Sequence, residues 1–117
     1  MKLIGSRTSP YVRRIRLLLN DTPHEFLHLN IYAEGRDELR RNSPVLKVPV
    51  LVDGDRELYD SRVIARYLAA QHGTGPLTWE QENQLTLIDG ANDSCVTLLL
   101  SKKSGLDVDA DLEFWNL

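Results

Sequence analysis

The segment "GSRTSPYVRRIRLL", which starts at Gly5, holds the residues of this chain that are best placed for chemistry. It closes a short apolar segment and opens one with helical spacing. A turn from a strand into a helix aims main-chain N–H groups and the first helical side chains at one point. Two cysteines spaced C-x-x-C would form a redox centre there, but those positions hold Ser9 and Val12. Redox capacity is lost, and a hydroxyl donor remains.

Ser9 has two interpretations. Its hydroxyl can donate a hydrogen bond to a thiolate that a ligand brings in, which lowers the pKa of that thiol from about 8.5. Alternatively, Ser9 only caps the helix, a common role for serine before proline. Tyr11 is a second candidate for assisting a thiolate, although packing at the helix start explains it equally well.

The segment "LKVPVLV" carries a second signal at Val48 and Pro49. Proline cannot donate to a strand ladder, so Pro49 belongs at a strand start or edge. The Val48–Pro49 bond is a candidate cis peptide, and an ordinary trans proline is the alternative. In the cis form, we expect the main chain of Val48 to pair with an extended, peptide-like ligand in the manner of an added strand.

The segment "DSRVIARYL" carries the third signal, at Asp60 and Ser61. These residues begin a helix, where N–H groups and hydroxyls bind carboxylates well. The Asp60 carboxylate is also suited to a ligand ammonium group. The alternative interpretation is a plain helix N-cap.

Apolar periodicity predicts the elements that position these residues. Within residues 1–72 the order is β-α-β-α-β-β-α. The apolar face of the first helix is predicted to comprise Val12, Ile15, Leu18 and Leu19, and one side of the second strand Leu27, Leu29 and Ile31. The hairpin is marked by Asp53-Gly54, and the last helix runs from Asp60–Ser61 to a stop at Gly73. The first two strands are expected to be parallel and the hairpin antiparallel. The prediction is an α/β domain with a mixed four-stranded sheet.

Residues 73–77, "GTGPL", read as a linker, and residues 78–117 as part of a helical domain. Thr78 and Gln81 have the spacing of a capping box. An apolar stripe then reaches about Ser101, and it comprises Leu85, Ile88, Cys95, Leu98 and Leu99. This region is too short to enclose its own core, so the stripe is expected to pack against further helices or a partner.

Composition narrows the class of protein. The 117 residues have an apolar fraction of 42% and a net charge of −3, which argues against broad binding to nucleic acid or to an anionic membrane. The sequence shows neither a signal peptide nor a membrane span, and a single cysteine fits a reducing compartment. We therefore expect a cytoplasmic protein.

The remaining polar residues give weaker signals. Three histidines, at His24, His28 and His72, lack metal-ligand spacing, so no metal is predicted. The "RRIR" run at 13–16 is interpreted as a solvated helix face, and Cys95 as a small buried residue.

Together, "TSPYVRRIRLLL", "SPVLKVPVLV" and "DSRVIARYL" resemble the N-terminal domain of the glutathione S-transferases, from Met1 to about Gln71. The first motif looks most similar to bacterial serine-type members. The resemblance implies a thioredoxin-like domain with a mixed four-stranded sheet, followed by the first helix of an all-helical C-terminal domain.

The resemblance also implies a function. Glutathione would be bound and its thiol activated for attack on a small electrophile, as in detoxification, by a protein that is a homodimer when full length. An alternative is a non-catalytic module that binds glutathione or a partner. A glutaredoxin-like oxidoreductase is disfavoured because the active-site cysteine pair is missing.

The roles implied for single residues follow the glutathione molecule from end to end. Ser9 would hydrogen-bond the sulfur, and Val48, beside a cis Pro49, would pair with the cysteinyl main chain. Asp60 and Ser61 would hold the γ-glutamyl end, and Lys47 would contribute at the glycyl end.

Two residues depart from the family pattern. Leu46 stands where the family has glycine, so either Leu46 is strained at positive φ or the loop differs. Asp60 stands where Glu or Gln is commoner, which shortens its reach to a ligand. In addition, the family's helical domain supplies most of the electrophile pocket, and this sequence contains only the start of that domain.

Overall fold

The computed structural model describes residues 1–111 and divides the chain into two compact units, Met1–Pro76 and a second that begins at Leu77. The elements of the first unit are β1 (Lys2–Gly5), α1 (Pro10–Leu19), β2 (Glu25–His28), α2 (Arg36–Asn42), β3 (Val50–Asp53), β4 (Arg56–Tyr59) and α3 (Ser61–Gln71). This order confirms the predicted β-α-β-α-β-β-α arrangement.

The four strands form one mixed sheet in the order β2-β1-β3-β4. β1 pairs with β2 in parallel and with β3 antiparallel, and β3 and β4 form the antiparallel hairpin. Both predicted orientations are confirmed. The hairpin turn needs positive φ, which Gly54 supplies at 59°.

Alternation along the central strands divides the core between the two faces of the sheet. On β1, Leu3 and Ile4 are both fully buried, but they belong to different apolar clusters. One cluster joins the sheet to α1 and α3 and comprises Leu3, Val12, Ile15, Leu19, Leu51, Ile64 and Leu68. The other lies on the α2 side and comprises Ile4, Leu29, Leu39 and Val50. Burying each such side chain contributes roughly 1.5–3 kcal/mol.

Two details of the predicted pattern are wrong. The second strand was expected to include Ile31 but ends at His28, because the chain turns at Asn30, whose carbonyl accepts hydrogen bonds from the N–H groups of Ala33 and Gly35. Leu18 is 48% exposed, so the buried face of α1 consists of Val12, Ile15 and Leu19 alone.

The second unit contains α4 (Trp79–Lys103) and the short α5 (Val108–Asp111). The predicted capping box at Thr78 and Gln81 is confirmed, with each side chain accepting from the other's main-chain N–H. No residue of α4 is buried, and the expectation that Cys95 is buried is wrong because its side chain is exposed. Residues 112–117 of the predicted helical region lie outside the described residues. Among residues 1–111, no helix is long and apolar enough to cross a membrane.

Candidate functional site

The register of the sheet brings the three predicted segments to one end of it. Ile4 pairs with Val50, and Val50 pairs with Tyr59. The chain leaves β1 beyond Ile4, enters β3 before Val50 and leaves β4 beyond Tyr59, and all three points lie at this end. The loop that bears Ser9, the Val48–Pro49 segment and the start of α3 therefore meet there. We call this the site end of the sheet.

Ser9 is the N-cap of α1. Its Oγ accepts a hydrogen bond from the Val12 N–H at 3.3 Å, and its own N–H donates to the Ser6 carbonyl at 3.2 Å. Because Oγ is the acceptor in the capping bond, the hydroxyl proton is not used by it. Capping and donation to a ligand are therefore compatible, and the two interpretations of Ser9 need not compete.

Gly5 sets how closely the first turn of α1 approaches the sheet. A Cβ atom at this position would lie 2.5 Å and 2.9 Å from the two methyl groups of Val12, which is fully buried. Val12 also supplies the N–H that binds Ser9. The absence of a side chain at Gly5 thus lets the capped turn rest against the end of β1.

The Val48–Pro49 peptide bond is cis, which is one of the two alternatives that the segment left open and the one that the resemblance implies. The preceding loop is fixed by Ser43, a fully buried residue whose Oγ donates to the Lys47 carbonyl at 2.9 Å and accepts from the Lys47 N–H at 3.1 Å. The Lys47 side chain is exposed. Ser43 therefore holds the main chain directly before Val48.

Leu46 adopts φ of 54°, so the strained alternative for this position is correct. The left-handed region costs a residue with a Cβ about 1–2 kcal/mol. The family's glycine avoids this cost. Leu46 nevertheless keeps the turn, because its N–H donates to the Ser43 carbonyl at 3.0 Å.

Asp60 is the N-cap of α3 and also has positive φ, at 73°. Its Oδ1 accepts from the Arg62 N–H at 2.8 Å. The next residue, Ser61, is buried, and its Oγ accepts from Arg14 Nη1 at 3.3 Å. Residues in unfavourable backbone regions are concentrated at functional sites, where the surrounding structure holds them.

Arg14 is a residue of this site that the sequence interpretation missed. The "RRIR" run was predicted to be a solvated face, which is wrong for Arg14, because its guanidinium bridges α1 to the first residue of α3. No sequence motif marks this contact, because Ser61 lies 47 residues further along the chain. Arg14 thus adds a positive charge beside the α3 N-terminus, where Asp60 supplies a negative one.

His28 and Ser43 were also missed as parts of the site. His28 ends β2, and its Nδ1 accepts the main-chain N–H of Arg7 at 3.3 Å. Neither residue belongs to a recognisable sequence motif, so only the folded chain reveals their contacts. No group of three His, Cys, Asp or Glu side chains within residues 1–111 is placed to hold a metal ion.

The arrangement suits an extended, peptide-like ligand. It offers a hydroxyl donor at Ser9, main chain at Val48 before β3, and a helix N-terminus at Ser61 with a carboxylate and a guanidinium beside it. Such a set can hold a carboxylate and an ammonium group at one end of the ligand and a thiol further along.

Comparisons with known proteins identify the family of this chain. The sequence model of the family "Glutathione S-transferase, N-terminal domain" matches residues 3–77. Glutathione S-transferase 3 of Zea mays is 33% identical over 78 residues, which are 63% of this chain and 35% of that protein. The uncharacterized GST-like protein YibF of Escherichia coli is 40% identical over 70 residues, 58% of this chain and 35% of that one. The chain thus spans about a third of the length of these curated relatives.

Solved structures of glutathione transferases have a similar fold. A bacterial maleyl pyruvate isomerase, a zeta-class glutathione S-transferase, has a TM-score of 0.68 at 26% identity, covering 94% of this chain and 59% of that chain. A glutathione transferase homologue from Drosophila mojavensis, solved with bound glutathione, has a TM-score of 0.57 at 32% identity, covering 62% of this chain and 35% of that one. The chain therefore belongs to the glutathione S-transferase family and has its thioredoxin-like α/β fold.

Proposed function

We propose that the chain binds glutathione at the site end of the sheet and ionises its thiol for attack on a small electrophile. The observation that carries the proposal is the shared register of Ile4, Val50 and Tyr59, which assembles three sequence motifs at one end of the sheet. The solved homologue with bound glutathione supports the choice of ligand.

Each residue has a separate task in this proposal. The Ser9 hydroxyl donates a hydrogen bond to the sulfur and stabilises the thiolate, while the main chain of Val48, beside Pro49, pairs with the cysteinyl unit. Asp60 takes the γ-glutamyl ammonium group, and Ser61, with the α3 N-terminus, takes the carboxylate. Lys47 contributes its positive charge at the glycyl carboxylate.

In this reaction the protein lowers the pKa of the glutathione thiol and positions its sulfur, and it does not supply the nucleophile. Ser9 and the positive end of the α1 dipole lower the pKa of the thiol, and the bound ligand is held so that its sulfur faces the incoming electrophile. The thiol proton leaves to solvent, and the sulfur supplies the electron pair of the new bond while the electrophile releases a leaving group or opens a π bond. Tyr11, half-buried in the first turn of α1, is the second candidate for assisting the thiolate.

Further proposals concern the whole protein. We propose a cytoplasmic, bacterial serine-type transferase active in detoxification, with residues 1–72 as the glutathione-binding domain. Residues 73–77 are its linker, and residues 78–117 begin a helical domain. In the full-length homodimer, that domain supplies the electrophile pocket.

One observation favours a second function, a module that binds glutathione or a partner without turnover. No residue of α4 is buried, and α4 exposes large apolar side chains such as Leu87 and Ile88. A helix of this kind is suited to binding another protein surface.

A calorimetric titration of reduced glutathione into the chain tests the proposal, together with the ultraviolet absorbance of the bound thiolate. We expect saturable binding that weakens in Asp60→Ala, and a thiolate signal that falls at least about tenfold in Ser9→Ala, because a hydrogen bond to a charged group is lost. Turnover with a simple electrophile then separates the enzyme from the binding module.

Variants at Ser9 separate capping from donation. Ser9→Thr keeps both the cap and the hydroxyl donor, whereas Ser9→Asp keeps a capping acceptor and has no proton to donate at neutral pH. Thr78→Ala is the control, since it removes an N-cap from α4 instead. If the thiolate signal is the same in Ser9→Ala as in the unmodified chain, the role assigned to Ser9 is wrong.

A further inference from the structure

The loop that carries Ser9 is held from two sides. On the helix side, Ser9 caps α1 through the Val12 N–H. On the sheet side, a turn is closed by the Ser9 N–H, which donates to the Ser6 carbonyl at 3.2 Å, and the Ser6 and Thr8 hydroxyls lie 2.9 Å apart. Arg7 and Thr8 are exposed at the tip of this turn. An exposed tip depends for its conformation on the few hydrogen bonds that reach it.

His28 supplies one such bond from a different strand. It is the last residue of β2, it is in register with Gly5, the last residue of β1, and its Nδ1 accepts the Arg7 N–H at 3.3 Å. A main-chain N–H can only donate, so Nδ1 must carry the lone pair and the ring proton lies on Nε2. The bond therefore selects one neutral tautomer of His28.

The imidazole is itself oriented by its neighbours. The ring of Phe26, two residues earlier on the same face of β2, has its centroid 6.4 Å from that of His28, within the range of interacting rings. The Arg16 guanidinium of α1 lies 4.9 Å from the Phe26 centroid in a cation–π contact. A continuous set of contacts thus runs from α1 through Phe26 and His28 to the turn that precedes Ser9.

We propose that His28 is a positioning residue for thiol activation, which fixes the turn at Arg7 so that the Ser9 hydroxyl points at the glutathione sulfur. This inference rests on the proposed function and extends it to a residue outside the three motifs. His28 ends the edge strand β2, whereas Lys47 precedes β3, and Asp60 and Ser61 follow β4 at the other edge of the sheet. Its loss should therefore change ionisation of the bound thiol more than the affinity for glutathione.

Substitutions that match the geometry of the ring test this role. Asn places its Oδ1 the same number of bonds from the backbone as His places Nδ1, so His28→Asn keeps an acceptor for Arg7. His28→Leu removes the acceptor and keeps an apolar side chain beside Phe26. His24→Leu is the matched control, because the His24 ring bonds to the Thr22 carbonyl at 2.8 Å, before β2 begins.

Two measurements on the full chain give separate readouts. Amide hydrogen exchange followed by NMR reports the Arg7 N–H without any ligand, and calorimetry with thiolate absorbance reports glutathione. In His28→Leu we expect Arg7 exchange to rise about fivefold and the bound thiolate fraction to fall about threefold, while Kd changes by less than about twofold. His28→Asn should restore both values, and His24→Leu should change neither.

Each other outcome overturns the inference. If His28→Leu speeds Arg7 exchange but leaves the thiolate fraction unchanged, the contact exists and does not position Ser9. If His28→Asn behaves like His28→Leu, the acceptor is not what matters. If the unmodified chain binds glutathione without ionising it, the proposed function has failed, and the role of His28 in it fails too, whatever the exchange data show.

Discussion

Side-chain hydrogen bonds stabilise each of the two ends of the four-stranded sheet, but the groups that accept these bonds differ between the ends. At the end opposite the site, the Asp53 carboxylate accepts from the Tyr67 hydroxyl at 2.6 Å and from Gln71 Nε2 at 3.2 Å. The Arg56 guanidinium lies 5.9 Å from the Tyr67 ring centroid. These groups satisfy one another and join the hairpin to the C-terminal half of α3.

At the site end, several polar side chains hold main chain in place, although Arg14 also bonds to the Ser61 hydroxyl. Ser9 and Asp60 cap helices, and Ser43 holds the Lys47 peptide. Two of the three non-glycine residues with positive φ among those described, Leu46 and Asp60, are also here. The site end thus contains strained backbone, and it has hydrogen-bond donors that a ligand can use. We expect the opposite end to contribute to stability alone. Substitutions at the two ends should separate binding from folding.

Gly5→Ala should have the largest effect. Its new methyl group would lie 2.5 Å from a Val12 methyl in the core, so the first turn of α1 must move. Overpacking of this kind lowers the free energy of unfolding by up to about 3 kcal/mol. Because the Val12 N–H also donates the capping hydrogen bond to Ser9, we expect the bound thiolate signal to disappear. Chemical denaturation and the glutathione titration measure the two effects.

A matched glycine in α4 serves as the control for this substitution. A Cβ at Gly90 meets nothing within 4 Å, so Gly90→Ala should stabilise the helix by about 0.5–1 kcal/mol and leave glutathione binding unchanged. Unaltered thiolate ionisation in Gly5→Ala would show that close approach of α1 to β1 is not needed at the site.

Ser43→Ala should have the next largest effect. It leaves the N–H and carbonyl of Lys47 without their buried partner, at a cost of about 1–3 kcal/mol in the free energy of unfolding. We expect weaker glutathione binding, since the loop before Val48 is released. Ser94→Ala is the control, because Ser94 donates only to the Gly90 carbonyl of its own helix. An unchanged Kd in Ser43→Ala would contradict the link between this loop and the ligand.

Much of the fold, and the three motifs at the site end, could be predicted from the sequence. The short apolar runs in "KLIGS" and "VPVLV" and the helical spacing after Pro10 identify the central strands and the first helix, because these residues fill the core on one or both faces of the sheet. The three motifs at the site end were identifiable because proline, serine and aspartate at element boundaries have strong local preferences. The cis bond before Pro49 was one of two alternatives, and Leu46 was recognised from a missing glycine.

Other contacts depend on the tertiary arrangement and had no signal in the sequence. The bond from Arg14 to Ser61 spans 47 residues, and that from His28 to Arg7 spans 21. Both join elements whose separation is set by packing of the whole domain. The exposure of Cys95 has the same origin, since a stripe on a helix indicates an apolar face but not what covers it.

Tyr67→Phe should have the smallest effect of the three and should be confined to stability. The Tyr67 hydroxyl, and after it the Gln71 amide, holds the pKa of Asp53 below its ordinary value of 3.8. A carboxyl whose pKa is lowered on folding stabilises the folded state at all pH values above the unfolded pKa, and this contribution is lost as the pH falls through the folded pKa. The variant should therefore be less stable at neutral pH, and the difference should narrow below pH 3.8.

The hydrogen bond between Tyr67 and Asp53 also makes stability depend on pH in the alkaline range, where stability falls as the pH rises. The hydrogen bond to Asp53 raises the pKa of Tyr67 above its ordinary value of 10.0, so its stabilisation is present below pH 10.0 and lost as the pH rises through the folded pKa. Denaturant unfolding across this pH range measures both limbs. Tyr59→Phe removes a hydroxyl bonded to Glu57 within β4, but it leaves Asp53 both of its hydrogen-bond donors, so the pKa of Asp53 should stay lowered. Because Tyr67 acts at the opposite end, its loss should leave the glutathione Kd unchanged within about twofold. A larger change would mean that strain at the site end is balanced through α3, and that the two ends act as one unit.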